Sequence, residues 1–299
     1  MAAALVVVTG AGACAGPAPP GRVGGSVLRV VAAENFWGSI AAQLGGTRAD
    51  VQSVVTDPNA DPHQYPSDTN DSRAIALADV VIVNGAGYDT WAGAMLAASE
   101  SGSRRVVDVA GVLGRKQGDN PHFWYDPTSV VTVANRITAT YRAADPPDGG
   151  YFDERRAAFG TALQPYLDRV AEIKRRFSGV KVAATETVFV PMAAALGLDL
   201  ISPRDFMRAI AEGTEPPAGS VIQFQAQVRR RDARVLVYNV QTATVTTTNI
   251  KRLAAAADIP VVGISETMQP EGATFQGWQL AQLVTLENAL SSREQVADQ

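Results

Sequence analysis

Histidine and cysteine are the residues this chain barely uses: two of the first and one of the second among 299 positions. A single thiol, Cys14, forms no intrachain disulfide and holds no thiolate metal cluster. Positive charge is not in excess either. The net charge of −4 argues against a nucleic-acid partner, which calls for a basic face. No internal stretch reaches the ~18 uninterrupted apolar residues of a membrane span. What is left is 46% apolar and 19% charged residues, enough to build real cores. The length suits two domains or one large one.

The first 26 residues differ from the rest: Ala, Gly, Pro and Val, with no charge until Arg22. The glycines at 10, 12 and 16 imitate a nucleotide-binding turn, which needs a helix directly after the last glycine to hold phosphate. Pro17, Pro19 and Pro20 forbid that helix. The better reading is a secretion signal and tether: an apolar core, small residues up to Cys14, then a Pro/Gly stretch. "AGAC" resembles the lipobox of bacterial lipoproteins, whose cysteine carries the lipid anchor, with Ala11 where Leu is usual. A lipoprotein is favoured over a cleaved soluble protein. The missing basic n-region is expected if the true start lies upstream.

From Val27 onward, strand and helix patterns alternate, which implies parallel sheet. "VLRVVAA", "DVQSVV", "VVIVNG" and "RRVVDV" read as strands, each followed by a helix or a Pro/Asp-broken loop. A break at "PPDGG" precedes 151–178, the longest helical pattern in the chain. Its apolar residues recur at three and four, and Lys174, Arg175 and Arg176 close it as the helix dipole favours. At 1.5 Å per residue it spans roughly 40 Å. Pro165 should kink it, the alternative being two helices that meet there. The rhythm then restarts. The expected fold is α/β: two lobes with mainly parallel sheets joined by one long linking helix. The boundaries are a leader at 1–26, a lobe at 27–150, the linking helix at 151–178 and a second lobe at 179–299.

Both histidines follow proline and have an aromatic nearby, in "DPHQYPSD" (His63) and "NPHFWYDP" (His122), and both are expected in loops rather than in a core. In parallel α/β sheets, ligands bind beyond the carboxyl ends of the strands. His63 and His122 lie in loops after such ends, and Glu186 and Glu266 follow "VKVAAT" and "PVVGIS" directly. Each glutamate alone reads most simply as a solvated acid. Two imidazoles and two carboxylates from facing lobes together suit one divalent cation, whose charge the carboxylates neutralise.

These segments, with "ATETVF…ALGL" and "VVGISETMQPEG" in this order and spacing, resemble the metal-binding solute-binding proteins of bacterial ABC transporters. The likeness runs from about Val27 to Leu290, and "NPHFWYDP" is its most specific element. It implies one transition metal held between two lobes by His63, His122, Glu186 and Glu266. Glu186 falls where members have His or Glu, the Glu version being common among manganese binders. Glu266 falls where most have Asp and is one methylene longer. The His/Asp-rich loop usual in the zinc branch is missing.

The resemblance therefore implies a non-enzymatic, monomeric receptor outside the cytoplasm, a membrane lipoprotein or periplasmic. It would capture Mn²⁺ by preference, or Zn²⁺, and pass it to an ABC permease. A secreted metallohydrolase using the same four residues is the alternative; catalytic metal sites keep a position open for water and a base nearby. An adhesin finds no repeat or stalk to support it. Trp37, Trp91 and Trp278 are expected in cores and Trp124 as a shield beside His122. Arg229–Arg231 reads as a solvated helix end and Gly85/Gly87 as a strand-to-helix turn.

Overall fold

The computed structural model describes residues 27–58 and 65–292. The leader with Cys14, and His63 itself, lie outside the described residues. The chain begins with β1 (Leu28–Glu34), α1 (Asn35–Gly45), β2 (Ala49–Val55), α2 (Thr69–Leu77), β3 (Val80–Val83), α3 (Thr90–Ala98), β4 (Arg105–Asp108), the single turn α4 (Val109–Val112) and α5 (Pro127–Ala144). Helix α6 (Gly149–Phe177) follows. The second lobe comprises β5 (Lys181–Ala184), α7 (Val190–Ala195), β6 (Asp199–Leu200), α8 (Arg204–Ala211), α9 (Ala218–Arg229), β7 (Leu236–Asn239), α10 (Val245–Ala256), β8 (Val261–Ile264) and α11 (Phe275–Ser291).

Among the described residues each lobe has one four-stranded sheet, and every strand pair in both is parallel. The orders are β2-β1-β3-β4 and β6-β5-β7-β8, the same winding used twice. The near-continuous apolar strands are the central ones. All of β3 and β7 is buried, as is every residue of β1 except Arg29, whereas edge strand β4 buries only Val107. Parallel sheets covered on both faces require that pattern. Helix α1 stops where expected. Gly46, at φ +51°, turns the chain back, and an added Cβ there would strike the Tyr151 hydroxyl.

Helix α6 runs unbroken through Pro165, so the two-helix alternative is set aside. Its buried residues are Phe152, Phe159, Leu163, Tyr166, Val170, Ile173 and Phe177, a stripe stepping by three and four after the first interval. This stripe packs against α5, α11 and α1 and belongs to one core that continues from β1 and β3 into β5, β7 and β8. Glu287 of α11, nearly buried, receives both Arg169 and Arg176 of α6. The linker is therefore part of the core.

Other readings fare unevenly. Helix α8 was not anticipated, although Phe206, Met207, Ala209 and Ile210 give it a clean buried face after Pro203. Trp37 and Trp278 are buried as expected, but Trp91 is only half-buried, against Tyr65 at 5.2 Å between ring centroids. Arg229, Arg230 and Arg231 are exposed, as a solvated helix end should be.

Candidate metal centre

Two of the candidate side chains lie just beyond strands, and the third leads into a short turn farther along the chain. Two residues beyond β5, Glu186 caps a 3₁₀ turn at Thr187–Phe189, its Oε1 accepting the N–H of Val188 at 3.2 Å. Two residues beyond β8, Glu266 has its own N–H bonded to Gln241 Oε1 at 2.5 Å, and Thr267 bonds the same oxygen at 2.8 Å. His122 follows Pro121 and leads into a 3₁₀ turn, Phe123–Tyr125, whose three residues are all buried.

The aromatic run is thus part of the core, where a loop outside it was expected. His122 itself has no exposed surface. Phe36 stacks on Trp124 at 3.9 Å, and Trp124 and Tyr88 present edges to the imidazole at 5.2 and 6.0 Å. Pro and Asp break helix and strand periodicity without preventing burial when the neighbours are aromatic.

The imidazole's orientation follows from Asn120. Its Oδ1 lies 2.7 Å from His122 Nδ1 and also accepts the His122 backbone N–H at 3.1 Å. Its amide nitrogen donates to Thr187 O in the other lobe at 2.9 Å, which fixes which end of the amide is oxygen. Nδ1 therefore carries the proton, and the Nε2 lone pair points at the carboxylates. Nε2 is 3.6 Å from Glu186 Oε1 and 3.4 Å from Glu266 Oε2. One ligand atom from each of the three residues falls within 4.8 Å of the others, and all three are buried.

Two buried carboxylates this close repel strongly unless a cation or a proton intervenes. Burial, and after it the charge of Glu266, pushes the Glu186 carboxyl well above the ordinary glutamate range, against donation from Asn239 and the Val188 N–H. Tyr88 is pushed up by burial first and then by Glu266, Glu34 and Glu186, and it donates to Glu266 Oε2 at 3.0 Å. A divalent cation among His122 Nε2, Glu186 Oε1 and Glu266 Oε2 satisfies all three donors and balances both charges.

Of the four residues expected from the sequence, His122, Glu186 and Glu266 are brought together. The fourth, His63, lies in the undescribed stretch between β2 and α2. Several residues around the site escape a reading confined to titratable groups at strand ends. Asn120 sits two residues before His122, and Asn239 closes β7. Tyr88 lies in the turn after β3, where Gly85 and Gly87 take φ values of +74° and +93° as a strand-to-helix turn requires. The same strand-end rule, applied to β1, also selects Glu34. The structure leaves Glu34 out of the three-residue cluster and places it close to Asp89, whose charge adds to burial in raising it.

The family model of ZnuA, the periplasmic zinc-uptake complex component A, matches residues 30–289. The chain belongs to that family. Among curated relatives, the manganese ABC transporter substrate-binding lipoprotein PsaA of Streptococcus mitis is 23% identical over 196 residues, 58% of this chain and 61% of the relative. The chain thus spans about three-fifths of that relative's length. The zinc-binding protein TroA of Treponema pallidum shares the fold at a TM-score of 0.76 and 16% identity, over 89% of this chain and 99% of that one. FpvC of Pseudomonas aeruginosa, solved with Mn²⁺, does so at 0.73 and 19%, over 90% and 100%. Two α/β lobes on a long helix are therefore the ZnuA-family architecture, and none of these relatives supports the hydrolase alternative.

Proposed function

We propose that this ZnuA-family chain is an extracytoplasmic receptor for one divalent transition metal, with no catalytic role. The observation that carries the reading is the buried cluster of His122, Glu186 and Glu266, one imidazole and two carboxylates contributed by both lobes. His63, in the stretch after β2, is the fourth ligand. Manganese is the favoured cargo, since a carboxylate at 186 is a hard donor and the PsaA relative is named for manganese. Zinc is the competitor. An ABC permease is the partner to which the metal is delivered, Cys14 is the anchor point, and the receptor works as a monomer.

The division of labour follows the boundaries read from the sequence. A leader and tether occupy 1–26, a metal-binding lobe 27–150, the linking helix 151–178 and a second metal-binding lobe 179–299. Cargo leaves through small lobe displacements, because the linking helix shares its core with both lobes. Among the described residues, no helix is long and apolar enough to cross a membrane.

The test is metal analysis and thermal melting of protein stripped with chelator and then reloaded. One equivalent of Mn²⁺ or Zn²⁺ per chain is expected. Free metal at about 100 times Kd should add ~2.7 kcal/mol to the folded state. Identical melting curves with chelator and with excess of either metal would overturn the reading.

A further inference from the structure

Strand β8 ends at Ile264, and the residues after it, Ser265 to Met268, are buried. Past the sheet their backbone N–H groups have no ladder to join, and a buried N–H without an acceptor is costly. Each goes instead to the oxygen of a side-chain amide. Ser265 N–H donates to Gln282 Oε1 at 3.1 Å and Met268 N–H to Asn35 Oδ1 at 3.0 Å. Between them, Glu266 and Thr267 both donate to Gln241 Oε1, at 2.5 and 2.8 Å. Those two donors fill both lone pairs of the amide oxygen, and the amide nitrogen donates to Thr267 Oγ1 at 2.9 Å. Gln241 is seated in turn by Asn239, whose Oδ1 accepts its backbone N–H at 3.1 Å.

The two glutamates of the site are therefore held by opposite means. Glu186 caps its own turn, its Oε1 accepting from Val188 N–H at 3.2 Å and from Thr187 Oγ1 at 3.4 Å, so the side chain that faces His122 also holds the turn. Glu266 has its backbone held from outside. We propose that Gln241 is the positioning residue that makes Glu266 the stationary ligand, in place before cargo arrives, an inference that rests on the metal-receptor reading above. A ligand already ordered loses little freedom when metal binds, and the saving appears as affinity. Without the Gln241 amide, the backbone at 266 and 267 must turn to other acceptors. That movement carries the carboxylate away from His122 Nε2, which lies 3.4 Å from its Oε2.

The experiment compares chelator-stripped wild type, Gln241→Met, Glu266→Ala and the double variant by Mn²⁺ and Zn²⁺ competition titration. Methionine keeps the length of the side chain and removes the amide. Alone, Gln241→Met should weaken binding about 10- to 100-fold, the range seen when an outer partner of a metal ligand is lost. On top of Glu266→Ala it should cost less than about threefold, because a positioning residue then has nothing left to position. Equal losses in the two backgrounds, which an amide that merely braced the fold would give, overturn the proposal, and so does no loss in either. Should Gln241→Met fail to fold, amide hydrogen exchange in the chelator-stripped wild type decides. Slow exchange at Glu266 and Thr267 supports a ligand held before metal arrives, and exchange at the rate of an open loop overturns it. A wild type that takes up neither metal overturns the receptor reading itself, whereas a variant that binds as tightly as a metal-binding wild type overturns the positioning role alone.

Discussion

The two lobes wind their sheets in the same order, yet the same position carries opposite chemistry in each. Beyond the central strand of the second lobe stands Glu186, facing His122; at the end of the corresponding strand, β1, stands Glu34, outside the cluster. Beside them, at the ends of the next strands, are two asparagines. Asn239 donates to the two carboxylates, while Asn84 accepts from Trp37 Nε1 at 3.0 Å and donates to Pro121 O at 2.9 Å, steadying the segment that carries His122. Both glutamates are buried and both are pushed well above the usual range, so neither burial nor an elevated pKa marks a ligand. What sets Glu186 apart is the imidazole of His122, facing it from the other lobe.

The sharpest way to break this comparison is a pair of isosteric changes. Glu186→Gln should weaken Mn²⁺ binding by at least about 100-fold, because it removes a ligand and not merely an outer partner. Glu34→Gln should leave affinity within about threefold, below the effect of losing an outer partner. Equal losses from the two, measured by titration calorimetry, would erase the distinction between the lobes. His122→Ala should cost about as much as Glu186→Gln. Since the imidazole is buried rather than in an open loop, some loss of melting temperature is also expected, which cavity formation would explain.

Next in size is Asn120→Ala, which removes both the Nδ1 partner of His122 and the bond to Thr187. About 10- to 100-fold in affinity is expected, carried mainly by faster release in stopped-flow chelator traps. Glu186→His sharpens the metal question. It should lower the Mn²⁺/Zn²⁺ affinity ratio by about tenfold, by exchanging an oxygen donor for a nitrogen. An unchanged ratio would remove Glu186 from the ligand set.

The smallest effect concerns pH and the metal-free protein. Glu34 binds its proton more tightly folded than unfolded. As pH rises above the ordinary glutamate range, the unfolded chain gives up that proton first, so stability falls until the raised pKa is passed. Glu34→Gln should flatten this decline in urea melts taken from acid to neutral pH. A wild-type decline no steeper than the variant's would show that Glu34 ionises freely.

Much of this was legible in the residues because parallel sheets impose strong patterns. The apolar runs of β1, β3 and β7 and the stripe of α6 are readable because each is buried along its length, Arg29 of β1 excepted. The strand-end rule reached His122, Glu186 and Glu266 without knowledge of how the strands pair. It had no means of rejecting Glu34, since that requires knowing that Asp89 lies close to it in space. It was blind to Asn239 and Asn120, which do not titrate: Asn239 acts on carboxylates 27 and 53 positions away, and Asn120 on His122 beside it and on Thr187, 67 positions away. Helix α8 was hidden for a different reason, because its eight residues are a short pattern between Pro203 and the next clear helix.

The bonds between lobes are unevenly shared between the two edges of the site. Around Glu266, Asn35 exchanges two hydrogen bonds with Met268, Tyr88 bonds the carboxylate and Tyr125 bonds Ser265 O. Around Glu186 the amide of Asn120 makes the bond to Thr187, and there the lobes stand apart around an open cleft of about 1230 Å³ floored by α7 and α8. A net hydrogen bond is worth about 1 kcal/mol, so prising the second edge open costs a fraction of what the first demands. The molecule is built like a book bound along its Glu266 side, with Asn120 as the clasp. One side chain thus joins the two edges: undoing the clasp would cost His122 its Nδ1 partner at the same moment that it freed the Glu186 page.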